Sequence, residues 1–208
     1  MKVDHIRPQD IENTSMQIIR EELAQMGKEI PAELAPVVMR VIHTTADFEY
    51  ADTMAFSPGA IEKAREAIRS GARIVTDTNM ALAGVNKKAL AKWGGEAICF
   101  MADPEVAEEA SARGITRAAV SMERAAALDG PTIFAIGNAP TALLTLRELI
   151  DTKEYKPALI IGVPVGFVNV VNAKEQIMET QIPWIVNRGR KGGSGVAAAI
   201  CNAILYGM

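Results

Sequence analysis

Apolar and polar positions along the chain follow two rhythms. Over the first 50 residues the pattern is helical. Ile11, Ile18, Ile19 and Met26 recur on one face of a helix over 9–26, Gly27 offers a stop, and Pro31 opens a second helix running to about His43. From Ser57 the rhythm changes. Ser57-Pro58 reads as an N-cap with proline at the first helical position, and Gly71 closes that helix. Five short apolar runs follow, at 73–77, 97–101, 132–136, 158–162 and 183–187. Helical patterns separate them at roughly 86–93, 104–126, 140–151, 172–180 and 194–205, punctuated by Asp103-Pro104, Gly114 and Gly192-Gly193-Ser194. Continuous apolar strands alternating with helices predict a parallel sheet covered on both faces. The expected fold is α/β: a three-layer α/β/α arrangement with a mostly parallel sheet of about five strands and an N-terminal helical extension. Residues 1–50 form the extension and 57–208 the α/β core, within a single domain over 1–208.

Composition narrows the function. An apolar content of 49% in 208 residues is enough to bury a sizeable core. A net charge of −3 argues against a nucleic-acid partner, which usually leaves a basic footprint. Cys99 and Cys201 lie far apart in apolar segments and read as buried thiols in a reducing cytoplasm. The opening MKVDHIRPQD has no apolar signal core, and the most apolar stretch, 157–171, is short for a membrane span and broken by Gly162, Pro164 and Gly166. A cytoplasmic protein with no membrane partner is expected. Two distant histidines and two distant cysteines give no metal-ligand cluster.

Ligands of an open parallel sheet bind beyond the carboxyl ends of its strands. The segments to inspect are therefore Asp77-Thr78-Asn79, Asp103, 137–141, 163–167 and 188–194. GRKGGS (189–194) combines two cations and three glycines just before a helix, and reads either as an anion cradle or as a solvated turn. It has neither P-loop nor dinucleotide spacing. GNAPTA (137–142), which contains Asn138 and Thr141, also enters a helix, with Asn138 placed to cap it.

His43, one of two histidines, ends the apolar run of the second helix and precedes Asp47 and Glu49. A helix C-terminus and nearby carboxylates favour an imidazolium, so His43 is either a proton donor or a C-capping side chain. Arg40 projects from the same side of that helix. Ser15 lies between Ile11 and Ile18, where its hydroxyl either bonds back to the helix or faces a ligand pocket. Arg117, in GITR, opens a helix, an unfavourable place for a cation unless an anion joins it. No nucleophile–base pair is visible, which fits a reaction needing one acid and much positioning better than hydrolysis.

Six strings in order, RVIHTTADFEY (40–50), TDTNMALAGVNK (76–87), GITR (114–117), GNAPTAL (137–143), GVPVGFVNVV (162–171) and GRKGGSGVAAAICNAI (189–204), make the chain resemble the precorrin-8 methylmutases of corrin biosynthesis over essentially its whole length. TTADF and TDTNMALAGVNK resemble the cobalt-dependent branch more than the metal-free one. One departure is GFVNVVNAKE (166–175), where the family pattern runs GFVGAAESKE. The resemblance implies an isomerase that moves a methyl group from carbon 11 to carbon 12 of cobalt-precorrin-8, giving cobyrinic acid. The alternative substrate is metal-free precorrin-8X. No cofactor is implied, since any cobalt is carried by the substrate. The resemblance makes His43 the catalytic group and Ser15 and Arg40 substrate contacts. Arg117, Arg190 and Lys191 would join Arg40 on the substrate's carboxylates, with Asn138, Thr141, Gly192, Gly193 and Ser194 completing the binding set. A homodimer is also implied. A nucleotide-dependent α/β enzyme and a non-catalytic tetrapyrrole carrier are the rival readings.

Overall fold

Alternation along the strands explains how one sheet acquires two covered faces. In the computed structural model, which describes Arg7 and residues 10–208, Ile133 and Ala135 of one strand join the core on one side, and Phe134 and Ile136 join the core on the other. Residue 9, where the pattern opens the first helix, and most of MKVDHIRPQD lie outside the described residues.

The elements run α1 (Ile11–Gln25), α2 (Ala35–Thr45), α3 (Tyr50–Thr53), β1 (Met54–Phe56), α4 (Ala60–Arg69), β2 (Arg73–Thr76), α5 (Asn79–Gly84), α6 (Lys87–Ala91), β3 (Ala97–Ile98), α7 (Pro104–Arg113), α8 (Arg117–Ala126), β4 (Thr132–Ile136), α9 (Pro140–Lys153), β5 (Leu159–Gly162), α10 (Val170–Met178), β6 (Trp184–Asn187) and α11 (Ser194–Tyr206). The strands form one sheet in the order β1-β6-β5-β4-β2-β3. All neighbours are parallel except β1, which pairs antiparallel with β6 through Met54–Asn187, Ala55–Val186 and Phe56–Ile185. The expected three layers are present. On one face α1, α2, α4 and α11 cover Ile74, Ile133, Leu159, Ile161 and Ile185; on the other, α8, α9 and α10 cover Val75, Phe134, Ile160 and Val186. The helical extension shares the first of these cores, with Ile19, Leu23, Val38 and Ile42 packed into it. Helix α11 is buried almost all round, and its alanines let neighbours approach closely. A Cβ on Gly84 would sit 2.7 Å from that of Ala198. Among the described residues no helix is long and apolar enough to cross a membrane.

Several expectations are corrected. The sheet has a sixth strand, β1, whose three half-buried residues are too few to show alternation. Ser57-Pro58 does not cap α4; Gly59 holds that position at φ 69°, and the Ser57 hydroxyl accepts from Trp184 N at 2.9 Å. The helical stretch 104–126 is two helices, broken at Gly114 (φ 63°) and restarted by Thr116, whose hydroxyl caps α8. Helix α1 buries Ile19 and Leu23, whereas Ile11 (53% exposed), Ile18 (48%) and Met26 (49%) face outward.

Helix α2 ends at Ala46, a non-glycine residue held in the left-handed region at φ 54°, with its N–H on Ile42 O at 2.7 Å. That conformation costs an L-residue with a Cβ roughly 1–2 kcal/mol. Ala46→Gly should therefore stabilise the protein by about 1 kcal/mol, raising Tm by about 2–4 °C in a thermal melt. A lower Tm would show that Ala46 is not strained.

Candidate active site

The parallel strands β2, β4, β5 and β6 end on the same side, and the loops that follow them are tied into one rim. Asp77, directly after β2, is completely buried, and its carboxylate accepts from Gly137 N (2.9 Å), Asn138 N (2.7 Å) and Ala139 N (2.6 Å). The turn after β4 thus wraps an internal anion. Burial holds the Asp77 carboxyl above its ordinary range, and the three N–H donors offset only part of that rise. Gly137 has no room for a side chain: a Cβ there would lie 2.7 Å from Ser194 Cα. The β6 loop is pressed equally hard onto the end of β5. A Cβ on Gly192 would meet Val163 O at 2.0 Å, and Gly193 N donates to that carbonyl at 2.9 Å. The Ser194 and Thr78 hydroxyls bond at 2.8 Å. Thr116 joins from the start of α8, its hydroxyl donating to Thr141 Oγ1 at 3.1 Å.

The end of α2 meets this rim. Thr44 Cγ2 lies 3.9 Å from the Cβ position of Gly195, in the first turn of α11. Lys191 spans the same junction, its Nζ 2.5 Å from Asp47 Oδ2 and 2.7 Å from Glu49 Oε2. These hydrogen bonds hold the ammonium above its ordinary range and the Asp47 carboxyl below its own. Lys191 is therefore a brace between two motifs, and the carboxylates near His43 are occupied by it.

His43, one residue before Thr44, is exposed, and its Nδ1 lies 2.8 Å from Ser15 Oγ. The capping reading fails: the imidazole turns to α1, and the helix is closed by Ala46. Ser15 likewise bonds across to His43, whereas Thr14 makes the back-bond, to Asp10 O at 2.9 Å. With Nδ1 engaged, Nε2 is the ring nitrogen left for a ligand, and a hydroxyl that donates to Nδ1 fixes the tautomer carrying a proton on Nε2. The exposed Ile11 and Ile18 flank Ser15 on α1, so the pair sits in an apolar frame.

The predicted cations divide into two groups. Arg40 pairs with Glu12 at 2.6 Å and stacks over Tyr206, 5.2 Å from the ring centroid. It lines an open groove of about 490 Å³ with Glu12, Met16, Met39 and Tyr206. Arg40 and Lys191 thus both have carboxylate partners inside the chain. Arg117 and Arg190 have none within 4.0 Å among the described residues. The Arg117 guanidinium touches Met101 O at 3.3 Å, and that of Arg190 lies over Phe167, which is 81% exposed. The helix starts divide similarly. Thr78 caps α5, Thr116 caps α8 and Asp77 fills the start of α9, but α10 and α11 have no side-chain cap. Asn138 takes part through its backbone N–H; Ala139 holds the capping position, so the expected side-chain cap is corrected.

Sequence reasoning passed over Lys174, Asn187 and the role of Asp77. Lys174 is fully buried and donates to Gly189 O and Lys191 O, both at 2.8 Å. Its position four residues after Val170 and three before Ile177 places it on the buried stripe of α10, which was the available signal. Asn187, the last residue of β6, accepts from Thr53 Oγ1 at 2.7 Å and donates to Lys191 O at 3.0 Å. The departing segment also has a reason. Asn169 starts α10 at φ 59°, where the family pattern has glycine, and asparagine is among the few other residues that visit this region readily. Among the described residues, no group of three His, Cys, Asp or Glu could hold a metal ion.

A precorrin-8X methylmutase family profile matches residues 10–207. The chain is 47% identical over 199 residues to a cobalt-precorrin-8 methylmutase of Priestia megaterium, covering 96% of this chain and 88% of that protein. It is 42% identical over 205 residues to one of Salmonella typhimurium, covering 96% and 95%. A precorrin-8X methylmutase structure from Thermus thermophilus superposes with a TM-score of 0.86 at 43% identity, covering 95% of both chains.

The rim depends on Asp77, because both its oxygens accept from backbone N–H groups of the turn after β4. Asp77→Asn turns an amide NH₂ toward a donor and should lower unfolding stability by about 1–3 kcal/mol in urea denaturation. Wild-type stability in that variant would contradict the role given to Asp77.

Proposed function

The chain belongs to the precorrin-8X methylmutase family, and from that membership we propose the following account of its chemistry. The protein is an isomerase of cobalamin biosynthesis that converts cobalt-precorrin-8 to cobyrinic acid by moving a methyl group from carbon 11 to carbon 12 of the macrocycle. The shift is intramolecular: the migrating methyl leaves one ring carbon as it bonds to another, so no methyl donor and no change of oxidation state are required. Any cobalt enters and leaves with the substrate.

The observation that carries the mechanism is the Ser15–His43 pair, 2.8 Å apart where α2 meets the strand-end rim. Ser15 orients the imidazole through Nδ1. Nε2–H then donates a hydrogen bond or proton to the macrocycle near the migrating methyl, drawing electron density from the acceptor carbon. Assistance of this kind contributes roughly 10²–10⁴-fold, and positioning a rigid ring supplies much of the remainder. The peripheral carboxylates of the substrate go to Arg117, Arg190 and the uncapped start of α11, which have no carboxylate partner or side-chain cap of their own among the described residues. Arg40 reaches a substrate carboxylate by exchanging it for exposed Glu12. Thr141, Gly192, Gly193 and Ser194 shape the rim without supplying charge.

A tetrapyrrole is broad compared with this open site. The exposed Ile11, Ile18, Phe167 and Val168 support a homodimer whose second copy shields the ring. Its two free cysteines support a cytoplasmic location.

Incubating the protein with cobalt-precorrin-8 should change the absorption spectrum as the conjugated ring rearranges. His43→Asn should keep corrinoid binding while kcat falls roughly 10²–10⁴-fold; Ser15→Ala should lower kcat by less. No spectral change with either the cobalt complex or metal-free precorrin-8X would contradict the assignment. Sedimentation should give the mass of two chains, and the mass of one would exclude the dimer.

A further inference from the structure

Lys174 and Asp77 are the two charged side chains buried completely among the described residues, and Lys174 has no counter-ion there. Its ammonium is held by two neutral carbonyls, Gly189 O and Lys191 O, each 2.8 Å from Nζ. Taking an ammonium out of water without a carboxylate is costly, and a methionine would continue the Val170–Ile177 stripe of α10 without that cost. The two carbonyls it holds flank Arg190. With Asn187 also donating to Lys191 O at 3.0 Å, the backbone on both sides of Arg190 is turned toward the interior. The Arg190 side chain leaves in the other direction, over Phe167, with its guanidinium carbon 5.3 Å from the ring centroid. Three residues later Gly193 precedes the uncapped first turn of α11.

We propose that Lys174 is a positioning residue for substrate binding: from inside the fold it locks the backbone around Arg190, so that this guanidinium and the start of α11 are presented together to one of the substrate's carboxylates. This rests on the methylmutase reading. Burial lowers the Lys174 pKa to about 8, which still leaves the side chain mainly protonated at neutral pH, with the three donors this role uses. A purely structural lysine would act on stability. A positioning lysine acts on KM through Arg190.

The test is steady-state kinetics of the full chain with cobalt-precorrin-8. Lys174→Met should raise KM about 10- to 100-fold, the loss of one charge-assisted contact, while kcat changes less than about threefold. Its Tm should fall by only about 2–4 °C, since Gly189 O loses its donor while Lys191 O keeps Asn187. Arg190→Ala should raise KM similarly, and the double variant should be no worse than Arg190→Ala alone. An unchanged KM in Lys174→Met, or KM effects that multiply in the double variant, would overturn the proposal. Should Lys174→Met not fold, Lys174→Gln, which can serve the two carbonyls only weakly, carries the test. An intermediate KM supports the proposal and a wild-type KM overturns it. A wild-type protein that converts neither substrate would instead mark failure of the family reading.

Discussion

The site depends on how closely the loop after β6 lies against the end of β5. Gly192 has no space for a Cβ beside Val163 O, and Gly193 N bonds to the same carbonyl. That contact fixes the backbone from which everything else on the rim is directed. Lys191 is thrown back to Asp47 and Glu49, Arg190 out over Phe167, and Ser194 toward Thr78. It also fixes the start of α11, on whose first turn Thr44 packs, and so the end of the helix carrying His43. A proton donor on one helix and an anion cradle on another are held in register by one loop.

The same rim shows how a protein of net charge −3 is arranged to receive a polyanion. Most of its arginines and lysines near the site are used internally. Glu12 takes Arg40, Asp47 and Glu49 take Lys191, and backbone carbonyls take Lys174. The turn after β4, which has the look of an anion loop, is already filled by Asp77. Among the described residues, Arg117, Arg188 and Arg190 are left at the strand ends without carboxylate partners, beside the starts of α10 and α11 that lack a side-chain cap, and the electrostatic pull falls there. In a partly apolar setting such localised charge is worth more than a diffuse basic surface in water.

Much of this was legible in the residues, for identifiable reasons. Strands β2, β4, β5 and β6 fall in apolar runs bounded by turn residues, so their existence and succession along the chain could be read directly, whereas the run at 97–101 yields only the two residues of β3. Strand β1 could not, since Met54–Phe56 is too short for a period and is defined by its pairing with β6. His43, Ser15 and Arg40 could be singled out as residues, but the 2.8 Å contact between helices α1 and α2 is tertiary. The outward turn of Ile11 and Ile18 misled the helix reading because a surface stripe and a core stripe have the same period. Asp77 and Lys174 were hidden for the opposite reason. Each is a charged residue doing backbone work at full burial, and composition assigns such residues to the surface. Chain-distant pairings such as Lys191 with Asp47 carry no local signature at all.

The central claim is that His43 Nε2 works on a macrocycle seated over the strand-end rim. A crystal structure of the protein with cobyrinic acid bound tests it most directly. The account predicts that Nε2 lies within hydrogen-bond distance of the ring near carbon 12, with Nδ1 still on Ser15 and with Arg117 and Arg190 on peripheral carboxylates. A corrinoid bound instead in the groove between Glu12 and Tyr206, with His43 out of reach of the ring, would contradict it.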